Sequence, residues 1–106
     1  VTGIGGFTGG NEGMAITRAH GMKCEVQSWG YTLTQAANLH LMLANENCDY
    51  FEQAAPFEKY EFGARQVIRP DENGFVRPSG LPGLGVEMDW DTIAPFVYAR
   101  REFNLV

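Results

Sequence analysis

The chain has 106 residues, 44% of them hydrophobic and 20% charged, an ordinary composition for at most one domain with a modest core. Eight Lys and Arg against thirteen Asp and Glu give a net charge of -5, and without a basic cluster to neutralise phosphates this excludes a nucleic-acid surface. No apolar run reaches the roughly 18 residues of a membrane span, and the first residues lack the basic-then-apolar order of a targeting segment, so a cytoplasmic, membrane-free setting is expected.

The opening Val1 to Gly10 carries five of the thirteen glycines, so its backbone is expected to turn tightly or approach something closely. One reading is a phosphate-binding loop, with Asn11 starting a helix whose amino end faces an anion. The segment nevertheless matches neither the dinucleotide fingerprint nor the Walker pattern. From Asn11 to His20 the spacing of Met14, Ala15, Arg18 and Ala19 predicts a short helix capped by Asn11 and ended by Gly21. His20 then lies beside the carboxyl end of that helix, as a capping partner or, alternatively, a proton carrier.

A strand is predicted for Met22–Gln27, with Cys24 and Val26 on one face and Lys23, Glu25 and Gln27 on the other. The second face is unusually polar and needs partners. At the carboxyl end of a covered parallel strand, where α/β folds place their ligands, stand Gln27, Ser28 and Trp29. A second helix, Leu33–Ala44, capped by Thr32 or Thr34, is apolar nearly all round and therefore expected to be buried, with His40 as an interior histidine. Asn45 ends it. A strand at Asp49–Gln53 follows, with Tyr50 and Glu52 on one face and Phe51 on the other.

Helix and strand in alternation indicate an α/β fold with a parallel sheet and crossover helices. After Pro56 the pattern changes. Asn73-Gly74 between Val67-Ile68-Arg69 and Phe75-Val76-Arg77 predicts a hairpin, residues 78–85 form a Pro/Gly-rich loop, and Asp89 is placed to cap a short helix from Trp90. Cys24 and Cys48 are too few for a disulfide framework and read as reduced thiols, while His20 and His40 show no metal-binding spacing.

Taken as an ordered set, Ile4-Gly5-Gly6-Phe7-Thr8-Gly9, Ala19-His20-Gly21-Met22, Ser28-Trp29-Gly30 and Pro82-Gly83-Leu84-Gly85-Val86-Glu87-Met88-Asp89 resemble the carboxyl-terminal part of the enolase superfamily, in its mandelate racemase/muconate lactonizing branch. The resemblance implies the last quarter of a longer chain: residues 1–60 as the final β/α units of a modified (β/α)8 TIM barrel, and 61–106 as the hairpin, loop and short helix that return to an α+β capping domain. Gln27 stands where the family places an acid/base histidine at the end of the seventh strand, and an amide cannot exchange protons as imidazole does. Glu52 matches the glutamate at the end of the eighth strand, which hydrogen-bonds the substrate carboxylate or its enolate form. The aspartate that partners the histidine, the three Mg²⁺ carboxylates and the lysine pair of the second strand fall outside this chain.

Glu25 has no counterpart in the resemblance. Its two readings are an ion pair with a lysine on a neighbouring strand, and a charge or proton lent to the site in place of the missing histidine. The implied activity is Mg²⁺-dependent removal of the proton next to a carboxylate, with dehydration of a sugar acid first, a racemase or cycloisomerase second, and a non-catalytic homologue as the contrasting class. Glu52 and Glu25 are the catalytic candidates; Gln27, Ser28 and Trp29 are the substrate contacts. The implied partners are a small carboxylate, the remainder of the polypeptide and further copies of it. An independent flavodoxin-like module would need its own first strand and phosphate loop, and neither is visible. The family reading also expects Gln27, Trp29 and Glu52 at one end of a parallel strand pair, and uncovered apolar surface on the Leu33–Ala44 helix.

Overall fold

The computed structural model describes residues 1–103. The glycine-rich opening is helical rather than a phosphate loop. After a 3₁₀ turn at Thr2–Ile4, Gly5 adopts φ 82° and leads into helix α1, Gly6–Ala19. Asn11 therefore lies inside α1 instead of capping it, and its Oδ1 accepts a hydrogen bond from Asn45 Nδ2 at 3.0 Å. The glycines permit close packing, because a Cβ on Gly10 would stand 2.7 Å from Leu41 Cδ2. One on Gly9 would collide with the Ile4 carbonyl. The far end of α1 follows its sequence signal: Gly21 at φ 66° donates to Arg18 O at 2.9 Å and Met22 donates to Thr17 O at 2.9 Å, with His20 at the cap.

Strand β1 is Val26–Ser28 and strand β2 is Phe51–Gln53; they pair in parallel with Val26 opposite Phe51, Gln27 opposite Glu52 and Ser28 opposite Gln53. Both are shorter than expected, and one cause accounts for the lost amino-terminal ends. The N–H groups of Asp49 and Tyr50, which would extend the ladder, donate to the Glu25 carboxylate at 3.0 and 2.8 Å. Helix α2, Thr32–Leu43, joins the strands. Its cap is Tyr31, not Thr32 or Thr34, and the Tyr31 carbonyl accepts from Thr34 and Gln35 N–H at 2.9 and 3.1 Å. At the other end Asn45 Nδ2 satisfies the otherwise orphaned Leu41 carbonyl at 2.8 Å.

Residues 67–77 turn as expected but form no ladder. Asp71 N–H donates to Phe75 O at 2.8 Å, while Asp71 Oδ1 accepts the N–H groups of Asn73 and Phe75, both at 2.9 Å. The side chain thus takes donors that a hairpin would need, and Pro70 and Pro78 supply none. The Pro/Gly-rich loop and the last helix match the expectation. Helix α3, Trp90–Ile93, is capped by Asp89, whose Oδ1 accepts Thr92 N–H at 3.2 Å. Residues 63–65 and 87–89 meet through an antiparallel bridge of Ala64 with Met88.

Two apolar clusters hold these pieces together. Met14, Val26, Leu41 and Cys48 join α1, β1 and α2, and Ala36, Leu39 and Ile68 seat the carboxyl-terminal segment on α2 with Phe51, Val76, Leu84 and Val86 around them. Helix α2 is thereby largely covered, contrary to the expectation that its apolar surface would lie open. Leu33 and Leu43 are its exposed large apolar residues, while much apolar surface elsewhere is open, as at Ile4, Trp29, Tyr50 and Phe96. The molecule is a slab of 45 × 43 × 23 Å with a radius of gyration of 15.4 Å, against about 13 Å for a compact chain of 100 residues. Among the described residues no helix is long and apolar enough to cross a membrane.

Candidate functional site

Strand alternation decides which side chains share the open face of the sheet. Val26 and Ser28 turn toward the buried side and Gln27 toward the open one, where its register partner Glu52 also points. Gln27 Nε2 donates to Glu52 Oε1 at 3.1 Å. This bond fixes the orientation of the amide and engages one carboxylate oxygen, leaving Oε2 of Glu52 and the second amide hydrogen and carbonyl oxygen of Gln27 for another partner. Just past β1, Trp29 is 61% exposed and meets Tyr60 edge to face, with ring centroids 6.2 Å apart and planes at 71°.

Gln27 and Glu52 therefore come together as read, at the middle of two paired three-residue strands, while Trp29 lies just past the carboxyl end of β1 against Tyr60. The structure does not bring Ser28 to this surface. Its side chain is fully buried on the α2 side, and Oγ has no hydrogen-bond partner among the described residues. Glu25 precedes β1 and lies toward the amino end of the strands. Its carboxylate accepts the Asp49 and Tyr50 N–H groups and the Cys48 thiol at 3.3 Å, rather than pairing with a lysine. The nearby Lys23 pairs with Asp49 instead, at 2.8 Å, and that hydrogen bond raises the lysine pKa above its ordinary value. Backbone donors carry no residue-type signature, so Glu25's engagement was invisible in the sequence.

Cys48 is buried, and loss of solvent around its thiol pushes its pKa up to about 11, so it is not poised as a nucleophile. Both cysteines are free. Among the described residues no three His, Cys, Asp or Glu side chains cluster to hold a metal ion, and Glu52 is the only carboxylate aligned with Gln27 on the strand pair.

The residues that sequence reading missed are the amides behind the open face. Asn38 is 1% exposed and its Nδ2 donates to the Gln27 carbonyl at 3.1 Å. Gln35, one turn earlier, reaches Gly30 O at 2.9 Å and accepts from Gln53 Nε2 at 2.8 Å. The available signal was their polarity at helical spacing inside an otherwise apolar helix, since buried amides need partners.

Residues 1–92 match the family described as enolase C-terminal domain-like. A crystal structure of a protein assigned as a mandelate racemase/muconate lactonizing enzyme, from Pseudovibrio sp., is 48% identical to this chain and superposes with a TM-score of 0.83. That alignment covers 90% of this chain and 25% of the other, so the chain spans about a quarter of that solved protein. No curated protein matches. A match over residues 1–92, together with the parallel strand pair and its Gln27–Glu52 contact, means that this chain belongs to the enolase superfamily, in its mandelate racemase/muconate lactonizing branch.

Proposed function

We propose that the chain is the carboxyl-terminal part of an enzyme that removes the proton next to the carboxylate of a small hydroxy acid, with sugar acid dehydration as the reaction. The observation that carries this reading is the Gln27–Glu52 hydrogen bond across the open face of the parallel strands. With Oε1 of Glu52 held by the amide, Oε2 is the oxygen that faces the substrate carboxylate, and a hydrogen bond shared between the two groups is worth most as negative charge develops on the substrate, which is the condition for accelerating proton removal.

Gln27 has no proton to exchange at neutral pH, so on this side of the substrate it can only bind. That favours an irreversible elimination, run by a base from elsewhere in the polypeptide, over racemisation, which needs a base on each face. Gln27 and Trp29 contact the distal hydroxyls, the amide by hydrogen bonds and the indole by its apolar face. A magnesium ion, whose ligands would come from other strands of a (β/α)8 barrel, would supply positive charge near the substrate carboxylate. The preceding polypeptide would pair the open sides of β1 and β2, and the working protein is a cytoplasmic homo-oligomer.

The test is to incubate the intact polypeptide with a panel of sugar acids in heavy water, following deuterium uptake at the carbon next to the carboxylate and formation of a 2-keto acid. A 2-keto product that disappears in Glu52→Ala supports the reading. Exchange that returns both stereoisomers without dehydration would replace it with a racemase, and binding of acids with neither exchange nor a 2-keto product would replace it with the non-catalytic homologue.

A further inference from the structure

One buried amide touches both halves of the aromatic wall beside the open face. The Gln35 side chain is 3% exposed, and its Nε2 donates to the carbonyl of Gly30 at 2.9 Å and to that of Tyr60 at 3.4 Å. Gly30 directly follows Trp29, and Tyr60 is the residue on which the Trp29 ring packs. Gln35 Oε1 accepts from Gln53 Nε2 at 2.8 Å, and Gln53 also donates to the Ile68 carbonyl. Every hydrogen-bonding hydrogen of the Gln35 amide is thus in use. Its orientation is forced too: turned over, its oxygen would face the carbonyls of Gly30 and Tyr60, which can only accept.

We propose that Gln35 is a positioning residue that sets the Trp29–Tyr60 pair relative to Gln27 and Glu52, and so determines how tightly the distal part of the substrate is held. The loop after β1 and the segment after β2 share no backbone hydrogen bond to each other among those of the described residues. Their relative position rests on packing and on this amide. Within this chain Trp29 is 61% exposed, so packing by the described residues restrains it weakly, whereas two hydrogen bonds from one rigid planar group fix both carbonyls together. Asn38, one turn along α2, holds the Gln27 carbonyl independently at 3.1 Å, so loss of Gln35 moves the aromatic wall and leaves the Gln27–Glu52 pair in place.

The inference rests on the reading of Trp29 as a substrate contact, and its first test needs no substrate. The intact polypeptide is labelled with 5-fluorotryptophan, and the ¹⁹F resonances of Trp29 and Trp90 are assigned from Trp29→Phe and Trp90→Phe. In Gln35→Met and Gln35→Glu the Trp29 resonance should move toward the position of free solvent-exposed indole, with the Trp90 resonance unmoved. Lowering the pH should bring the Trp29 resonance of Gln35→Glu part of the way back, since a protonated carboxyl regains one donor. An unmoved Trp29 resonance in both variants overturns the proposal, as does collapse of all resonances in both, which would assign Gln35 to stability alone. On an acid that the intact enzyme turns over, Gln35→Met should raise KM about tenfold with kcat within about twofold; a fall in kcat at constant KM overturns the proposal. If no acid is turned over, the proposed function fails, and the fluorine spectra still decide what Gln35 does.

Discussion

Gln27 and Glu52 face each other across parallel strands in register and are joined by a hydrogen bond of 3.1 Å from the amide to the carboxylate. An amide beside a carboxylate orients it without competing for its proton. Only one member of the pair can change protonation state. Glu52→Ala in the intact enzyme is predicted to lower kcat by about a hundredfold or more, the scale of a lost oxyanion contact, whereas Gln27→His should add an ionisation to the pH–rate profile. Steady-state kinetics across pH check both, and full activity in Glu52→Ala would show that the site lies elsewhere.

Glu25 is predicted to matter for stability rather than turnover. Its carboxylate holds the N–H groups of Asp49 and Tyr50 at the start of β2. Glu25→Ala should cost about 1.5–3 kcal/mol in urea unfolding, the net value of a hydrogen bond to a charged group, and leave kcat near the parent value. A kcat loss matching that of Glu52→Ala would restore Glu25 to the chemistry.

At Gly10, α1 packs against Leu41 of α2. A methyl group there would meet Leu41 Cδ2 at 2.7 Å in a position that is already buried, so Gly10→Ala is predicted to destabilise by about 1–3 kcal/mol despite alanine's better helix propensity. Gly13 in the same helix has open space around its Cβ position. Gly13→Ala should stabilise slightly, and thermal unfolding of the two variants side by side gives the comparison.

Ser28 buries a hydroxyl that has no partner among the described residues. Burying an unsatisfied hydroxyl costs about 1–3 kcal/mol. Ser28→Ala should therefore keep or raise the unfolding free energy. A clear loss of stability in the intact protein would reveal a partner for Oγ contributed by other parts of the polypeptide.

The Cys48 thiol gives a pH dependence with a definite sign. Burial raises its folded-state pKa from 9.0 to about 11, the Glu25 contact adding to the rise. Its protonated form is thus favoured by folding, and that stabilisation is complete below pH 9.0 and lost as pH climbs through about 11. Comparing the parent with Cys48→Ala in urea unfolding across this range should show the parent's advantage shrinking as pH rises. In the native protein at neutral pH a thiol reagent should label the half-buried Cys24 ahead of Cys48.

The sequence by itself determined the helix, strand, helix, strand order as far as β2, the family, the cap at Asp89, the stop at Gly21 and the nearness of Gln27 to Glu52. Each of these depends on local rules, on strand alternation or on a run of motifs in fixed order, and such signals survive without knowledge of what packs against them. The tertiary structure alone decided the rest. The opening glycines read as a loop because the sequence cannot show Leu41 lying against Gly10. The strands begin late because a carboxylate at Glu25 takes N–H groups more than twenty positions away along the chain. Ser28 is buried, and Gln35 and Asn38 hold the Gly30 and Gln27 carbonyls, because burial and hydrogen-bond partners are properties of packed surfaces, set by long-range neighbours that no local pattern encodes.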